Sequence, residues 1–252
     1  MLGKLIRHEF RATARYYLPL FAILVILGLT LLPLARHAHS LGVLQTLLTV
    51  LYTLAAIVLV VMTLVVTIRR FYTHLLGREG YLMFTLPVTA GQNILGKLIP
   101  ATCWTLIGLV LGILTAAPVS FGGIGDIPGE LALPIVLLIV AAILSIASTI
   151  LFFYLCMAIG QLFNTHKFLA AVVTFLVLTA VLNILEITFA AHLVSGSALF
   201  NLADSGLIRW VQSYPAAAVN LSCVAAVVIS FVICLVLFLI TRWLLNRKLN
   251  LS

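Results

Sequence analysis

The chain has 252 residues, 64% of them hydrophobic and only 8% charged, and its mean hydropathy is +1.29. A water-soluble domain is roughly half apolar and about one-quarter charged, so this composition excludes one and indicates an integral membrane protein. The formal charge of +8 does not indicate nucleic acid as a partner, because the bases gather at the ends of apolar runs, where membrane topology explains them.

Within residues 1–16, Lys4, Arg7, His8, Arg11 and Arg15 recur at helical spacing, with Leu2, Leu5, Ile6, Phe10, Thr13 and Tyr17 on the opposite side. This predicts a basic amphipathic helix, its Lys4, Arg7, Arg11 and Arg15 at the membrane surface, lying in the cytoplasmic headgroup region rather than spanning. The charged stretch is too long and too patterned for a secretion signal.

Runs long enough to cross a bilayer, which takes roughly 20 residues, follow at 17–35, 43–67, 98–120, 133–163, 168–192 and 215–245. The predicted fold class is therefore an all-α integral membrane protein, a single domain over 1–252 with six transmembrane helices. Charge orders the spans. Lys4, Arg7, Arg11, Arg15, Arg69, Arg70, Arg78, Lys97, Lys167, Arg242, Arg247 and Lys248 fall on one side, against only Arg36 and Arg209 on the other. By the positive-inside rule both termini are expected in the cytoplasm.

Residues 68–97 interrupt the apolar chain and read as a cytoplasmic loop built to touch a partner. Phe71, Leu75 and Leu76 share one face of a short helix that should stop near Gly77 or Gly80. Tyr81, Leu82, Met83, Phe84 and Leu86 form an apolar cluster ended by Pro87, and Thr89 is placed to cap a helix that runs through Gln92, Leu95 and Gly96 into the third span. Gly91 to Lys97 satisfies most of a G-x-x-x-x-G-K-S/T phosphate loop, but Leu98 stands where a hydroxyl must hold Mg²⁺. No strand precedes it, so the match reads as chance.

The third span carries Gly108 and Gly112, a small-xxx-small pattern for close helix approach. Residues 121–131 read as a turn. In the fifth span Asn183 and Glu186 share a helical face, a possible translocation path because an intramembrane acid is a site candidate by default. Glu186 lies roughly 27 Å along that span, so an outer-interface position is the plainer alternative. Residues 193–214 are too apolar for a solvated loop and are expected to hold short helices at the outer leaflet, with Trp210 and Tyr214 in the aromatic belt. No internal repeat is evident. Cys103, Cys156, Cys223 and Cys234 all sit in apolar runs, so neither a disulfide framework nor a zinc site is expected. A membrane-embedded enzyme is disfavoured as well, since His8-Glu9-Phe10-Arg11-Ala12 lacks the second His of H-E-x-x-H and Glu186 is alone.

The stretch GREGYLMFTLPVTAGQNILGKLI, entered by FYTHLL, resembles the cytoplasmic loop of type-2 ABC exporter permeases. The likeness is to the small permeases of Gram-positive bacteria, where Gly-x-Glu-Gly-Tyr-Leu, Thr-Leu-Pro-Val and Gly-Lys-Leu recur. The LGKLIRHEFRATAR opening and the KLNL tail are similar too. The resemblance implies the permease subunit of an ATP-binding cassette exporter in a bacterial plasma membrane, paired with a second permease subunit as a homo- or heterodimer. ATP and Mg would be held by a separate ABC ATPase subunit, with no cofactor and no catalysis in this chain. It further implies a coupling helix in the 68–97 segment, with the ATPase contact at Arg70, Phe71, Tyr72, Leu75, Leu76, Gly77, Arg78, Glu79 and Tyr81. The competing expectation is an ATP-independent polytopic protein, a secondary transporter or a membrane scaffold.

Overall fold

A computed structural model describes residues 2–36, 42–72, 90–121, 132–163, 167–194 and 215–247. In lipid every backbone N–H and C=O must be satisfied within the protein, and a continuous apolar run does so by becoming a helix. The helices are α1 (Leu2–Arg36), α2 (Gly42–Phe71), α3 (Ala90–Phe121), α4 (Ala132–Gly160), α5 (Lys167–Val194) and α6 (Pro215–Arg247). All six are long and apolar enough to cross a membrane. The chain is an all-helical, multi-pass membrane protein.

The chain divides into two compact units, Met1–Ile127 and Pro128–Asn250. In the first, α1 is the central helix and packs on both α2 and α3. Leu5 meets Gly96 near the start of α1, and Gly28 meets Thr115 further on, so α1 and α3 run in the same direction. Arg70 at the end of α2 reaches Glu9, which makes α2 antiparallel to both. In the second unit α4 is central, between α6 and α5. Leu151, Tyr154, Leu155 and Ala158 recur every three or four residues on its buried side. Phe153 stacks on Phe175 of α5 with ring centroids 5.3 Å apart, and Phe152 meets the same ring edge-on at 5.9 Å.

The N-terminal segment departs from expectation. No break separates residues 1–16 from the first span; α1 is one helix of 35 residues. The reason is a shared face. Leu5, Glu9, Thr13, Tyr17 and Phe21 fall on one line of the helix and meet α2 or α3 on both sides of the expected boundary. The side opposite the bases is thus taken up by protein, while Lys4, Arg7, Arg11 and Arg15 stay exposed. A separate helix lying flat in the headgroups is replaced by a continuous one.

The segment from 68 to 97 is shorter as a loop than expected. Residues 68–71 are the last turn of α2, and 90–97 are the first two turns of α3. The turn near Gly77 or Gly80, the Tyr81–Leu86 cluster, Pro87 and Thr89 lie outside the described residues, as do the turn expected over 122–131 and most of the 193–214 segment. The phosphate-loop match falls wholly inside the first two turns of α3, so the glycines form no loop.

Small residues set the closest helix approaches. A Cβ on Gly160 would lie 2.6–2.8 Å from the Cβ and backbone of Ala171, so α4 and α5 touch main chain to main chain there. Gly108 is a true contact point, its missing Cβ facing Leu59 and Phe21 at 3.1 and 3.2 Å. Gly112 is not; a Cβ there meets nothing within 4 Å, and its carbonyl accepts a 3.1 Å bond from the Tyr52 hydroxyl. Gly160→Ala is accordingly expected to lower stability by roughly 1–3 kcal/mol through forced separation of α4 and α5. Gly112→Ala should be neutral or gain up to about 1 kcal/mol from helix propensity. Thermal unfolding midpoints of the detergent-solubilised variants measure both, and equal midpoints would refute the backbone contact.

Candidate functional site

The polar chemistry of the first unit converges on one carboxylate. Glu9 is the sole acid before residue 79, and it sits on the face of α1 that α2 and α3 cover. Its Oε2 accepts a 2.6 Å bond from an Arg70 guanidinium nitrogen, and its Oε1 accepts a 2.8 Å bond from Lys97 Nζ. The side chains of Glu9 and Lys97 are only 5% and 4% exposed, and that of Arg70 is 17% exposed. Each carboxylate oxygen is thus held by a different helix. Bonds between ionised partners are the short, strong kind.

A second layer rises one turn above. Trp104 Nε1 donates to Thr13 Oγ1 at 2.8 Å, and the Thr13 hydroxyl donates to the Glu9 carbonyl at 2.6 Å. The indole is stacked on Tyr17 at a centroid distance of 5.2 Å, with Phe10 and Phe21 tilted against it at 5.7 and 5.9 Å. Leu24, Leu59 and Val66 complete this cluster. Thr63 and Thr67 of α2 flank the Tyr17 hydroxyl. Further along, Tyr52 and Thr115 share a 2.8 Å hydroxyl bond between α2 and α3. Polar contacts therefore tie α2 and α3 to each other or to α1 at several heights.

Asn93, one turn before Lys97, is 1% exposed. Neither its amide nitrogen nor its amide oxygen has a hydrogen-bond partner among the described residues. Buried amides are ordinarily paired, so the start of α3 carries an unspent donor and acceptor beside the ion cluster.

Of the residues expected to meet an ATPase, Arg70 and Phe71 face inward. Arg70 binds Glu9, and Phe71 is fully buried. Tyr72 is half-buried at the end of α2, and Leu75, Leu76, Gly77, Arg78, Glu79 and Tyr81 lie outside the described residues. Asn183 is exposed on α5 and donates to the Thr179 carbonyl of its own helix at 2.8 Å. Glu186 follows one turn later on the same helix, and its side chain lies outside the described ones. Among the described residues no three His, Cys, Asp or Glu side chains converge as a metal site.

Glu9 and Lys97 were not singled out as a pair in the sequence. The available signal is the spacing of four from Leu5 through Glu9 and Thr13 to Tyr17, which puts a lone acid on the side opposite the exposed bases. The partners, 61 and 88 residues away, leave no local trace.

No protein-family model matches the chain, and no curated protein matches it.

Removing one partner of a buried ion cluster strands the others in low dielectric, typically at a cost of 3–5 kcal/mol. Glu9→Leu should lower stability by about that much. Glu9→Leu combined with Lys97→Met should cost clearly less than the sum of the two single changes, because each alone breaks the same 2.8 Å bond. A double-mutant cycle on unfolding midpoints tests this, and strictly additive losses would show that the two side chains are not coupled.

Proposed function

We propose that the chain is the membrane-spanning permease subunit of an ATP-binding cassette exporter, driven by a separate ATPase subunit. The observation that carries the reading is the way Glu9 holds the end of α2 and the start of α3 together. Residues 73–89 connect those two helix ends, and this connecting segment holds most of the stretch that resembles exporter coupling loops. A push delivered to it passes directly into α2 and α3, and through the carboxylate into α1. Such a device suits a protein that receives mechanical work from a partner. The contact surface in this reading is Tyr72, Leu75, Leu76, Gly77, Arg78, Glu79 and Tyr81, while Arg70 and Phe71 brace it from within. The permease pairs with a second permease subunit in a bacterial plasma membrane, and its termini face the ATPase side. Asn183 and Glu186 are kept as residues of the translocation path.

A second reading, an ATP-independent transporter, draws on one observation. Both units follow the same plan, with the first helix of three in the centre, and many secondary transporters are built from structural repeats. The partner separates the two readings. Purified in mild detergent from its native membrane, the chain should bring down a soluble ATPase in about equal copy number. Recovery of the chain alone, even after crosslinking, sinks the exporter reading. Tyr72→Ala and Glu79→Ala should each weaken ATPase binding by about ten-fold, the loss expected for a contact worth more than 1 kcal/mol. Unchanged capture by both variants moves the contact elsewhere.

A further inference from the structure

Beside the ion cluster, sharing Arg70 with it, a groove of about 250 Å³ opens between α1 and α2. It is lined by three bases, Arg15, Arg69 and Arg70, together with the apolar Met62, Val65 and Val66. Tyr16 lines it too, its ring lying under the Arg15 guanidinium at 5.0 Å. Among the described residues Arg15 and Arg69 form no ion pair, whereas Arg70 turns one nitrogen to Glu9. Three guanidiniums thus line one small volume, and among the described residues the acid beside them, Glu9, is already shared between Arg70 and Lys97.

We infer that this groove is a binding site for one anionic phospholipid, with the phosphodiester held by Arg15, Arg69 and Arg70 and an acyl chain laid over Met62 and Val65. Charge complementarity supplies the first half of the argument. A guanidinium presents a planar fork that matches two phosphate oxygens, and basic pockets between membrane helices are suited to acidic headgroups. The second half is the apolar continuation. From Val65 the surface of α2 runs on through exposed Val61, Val58, Ile57 and Leu54, a stripe matched to an acyl chain. An acidic protein segment would use the arginines and leave the apolar lining and stripe uncovered. Tyr16, amphipathic and half out of the groove, stands where aromatic residues meet the headgroup level.

The site extends beyond the transport reading and stands without it, since it needs only a membrane around α1 and α2. The test uses the full chain, purified, delipidated in neutral detergent and offered equal amounts of phosphatidylglycerol and phosphatidylcholine. Native mass spectrometry then counts what stays bound. A single phosphatidylglycerol should be retained in preference. Arg15→Gln with Arg69→Gln should weaken it by about 30-fold, the loss expected when two basic contacts near a membrane surface are removed. Arg242→Gln, an exposed base in the other unit, should change nothing. Met62→Ala with Val65→Ala keeps every arginine and adds no charge; it trims the apolar lining of the groove and should weaken binding too. Equal retention of the two lipids overturns the inference, as does unchanged binding by either groove variant. Displacement by inorganic phosphate as effective as by short-chain phosphatidylglycerol would make this a free-anion site. Displacement by an acidic peptide but not by lipid would make it a protein-docking site. Either result removes the lipid.

Discussion

A carboxylate shut away from water must be answered by charge, and in the first unit that requirement organises everything around it. Glu9 takes Arg70 from α2 and Lys97 from α3, one on each oxygen. A slide of either helix by one turn, about 5.4 Å, would break one of those bonds. The cluster is therefore better understood as a device for register than as a source of stability, since the desolvation of three ions offsets much of their attraction. The aromatic group around Trp104 then packs at a height the ions have already set, and the Thr13 hydroxyl joins the two layers.

The second unit solves the same problem with shape. Helices in lipid gain little from burying apolar surface, so they associate through close packing or through polar bonds across the interface. Here α4 and α5 meet main chain to main chain at Gly160 and Ala171, and the Phe152, Phe153 and Phe175 rings interlock above that point. Two units with the same plan of a central first helix are thus held by different physics.

The helices themselves were legible because length and apolarity alone decide them; α2, α4, α5 and α6 begin and end within a few residues of the expected spans. What was not legible came from tertiary pairing. The bases on residues 4–15 predict a surface helix, and they are indeed exposed, but the line from Leu5 to Tyr17 that looked like a membrane-facing side is a protein interface. Periodicity tells that a face is apolar and is silent on whether lipid or a neighbouring helix covers it. Lys97 looked like the last residue of a chance phosphate loop, and Arg70 like part of an exposed contact. Both identities depend on Glu9, and no local pattern reports a partner so far away in the chain. Gly108 and Gly112 make the same point at smaller scale, because one of two identical residues faces a neighbour and the other does not.

The distances along the chain carry one more consequence, and it concerns time. Arg70 is made 61 residues after Glu9, and Lys97 a further 27 after that. As the protein leaves the ribosome, α1 therefore emerges with a lone carboxylate that nothing yet matches. It cannot settle at its final depth until α2 has followed, and it cannot take its final neighbours until the first two turns of α3 exist. The last of the three helices to be synthesised thus closes the structure around the first, and a chain truncated before Lys97 would hold α1 and α2 with half of their lock missing.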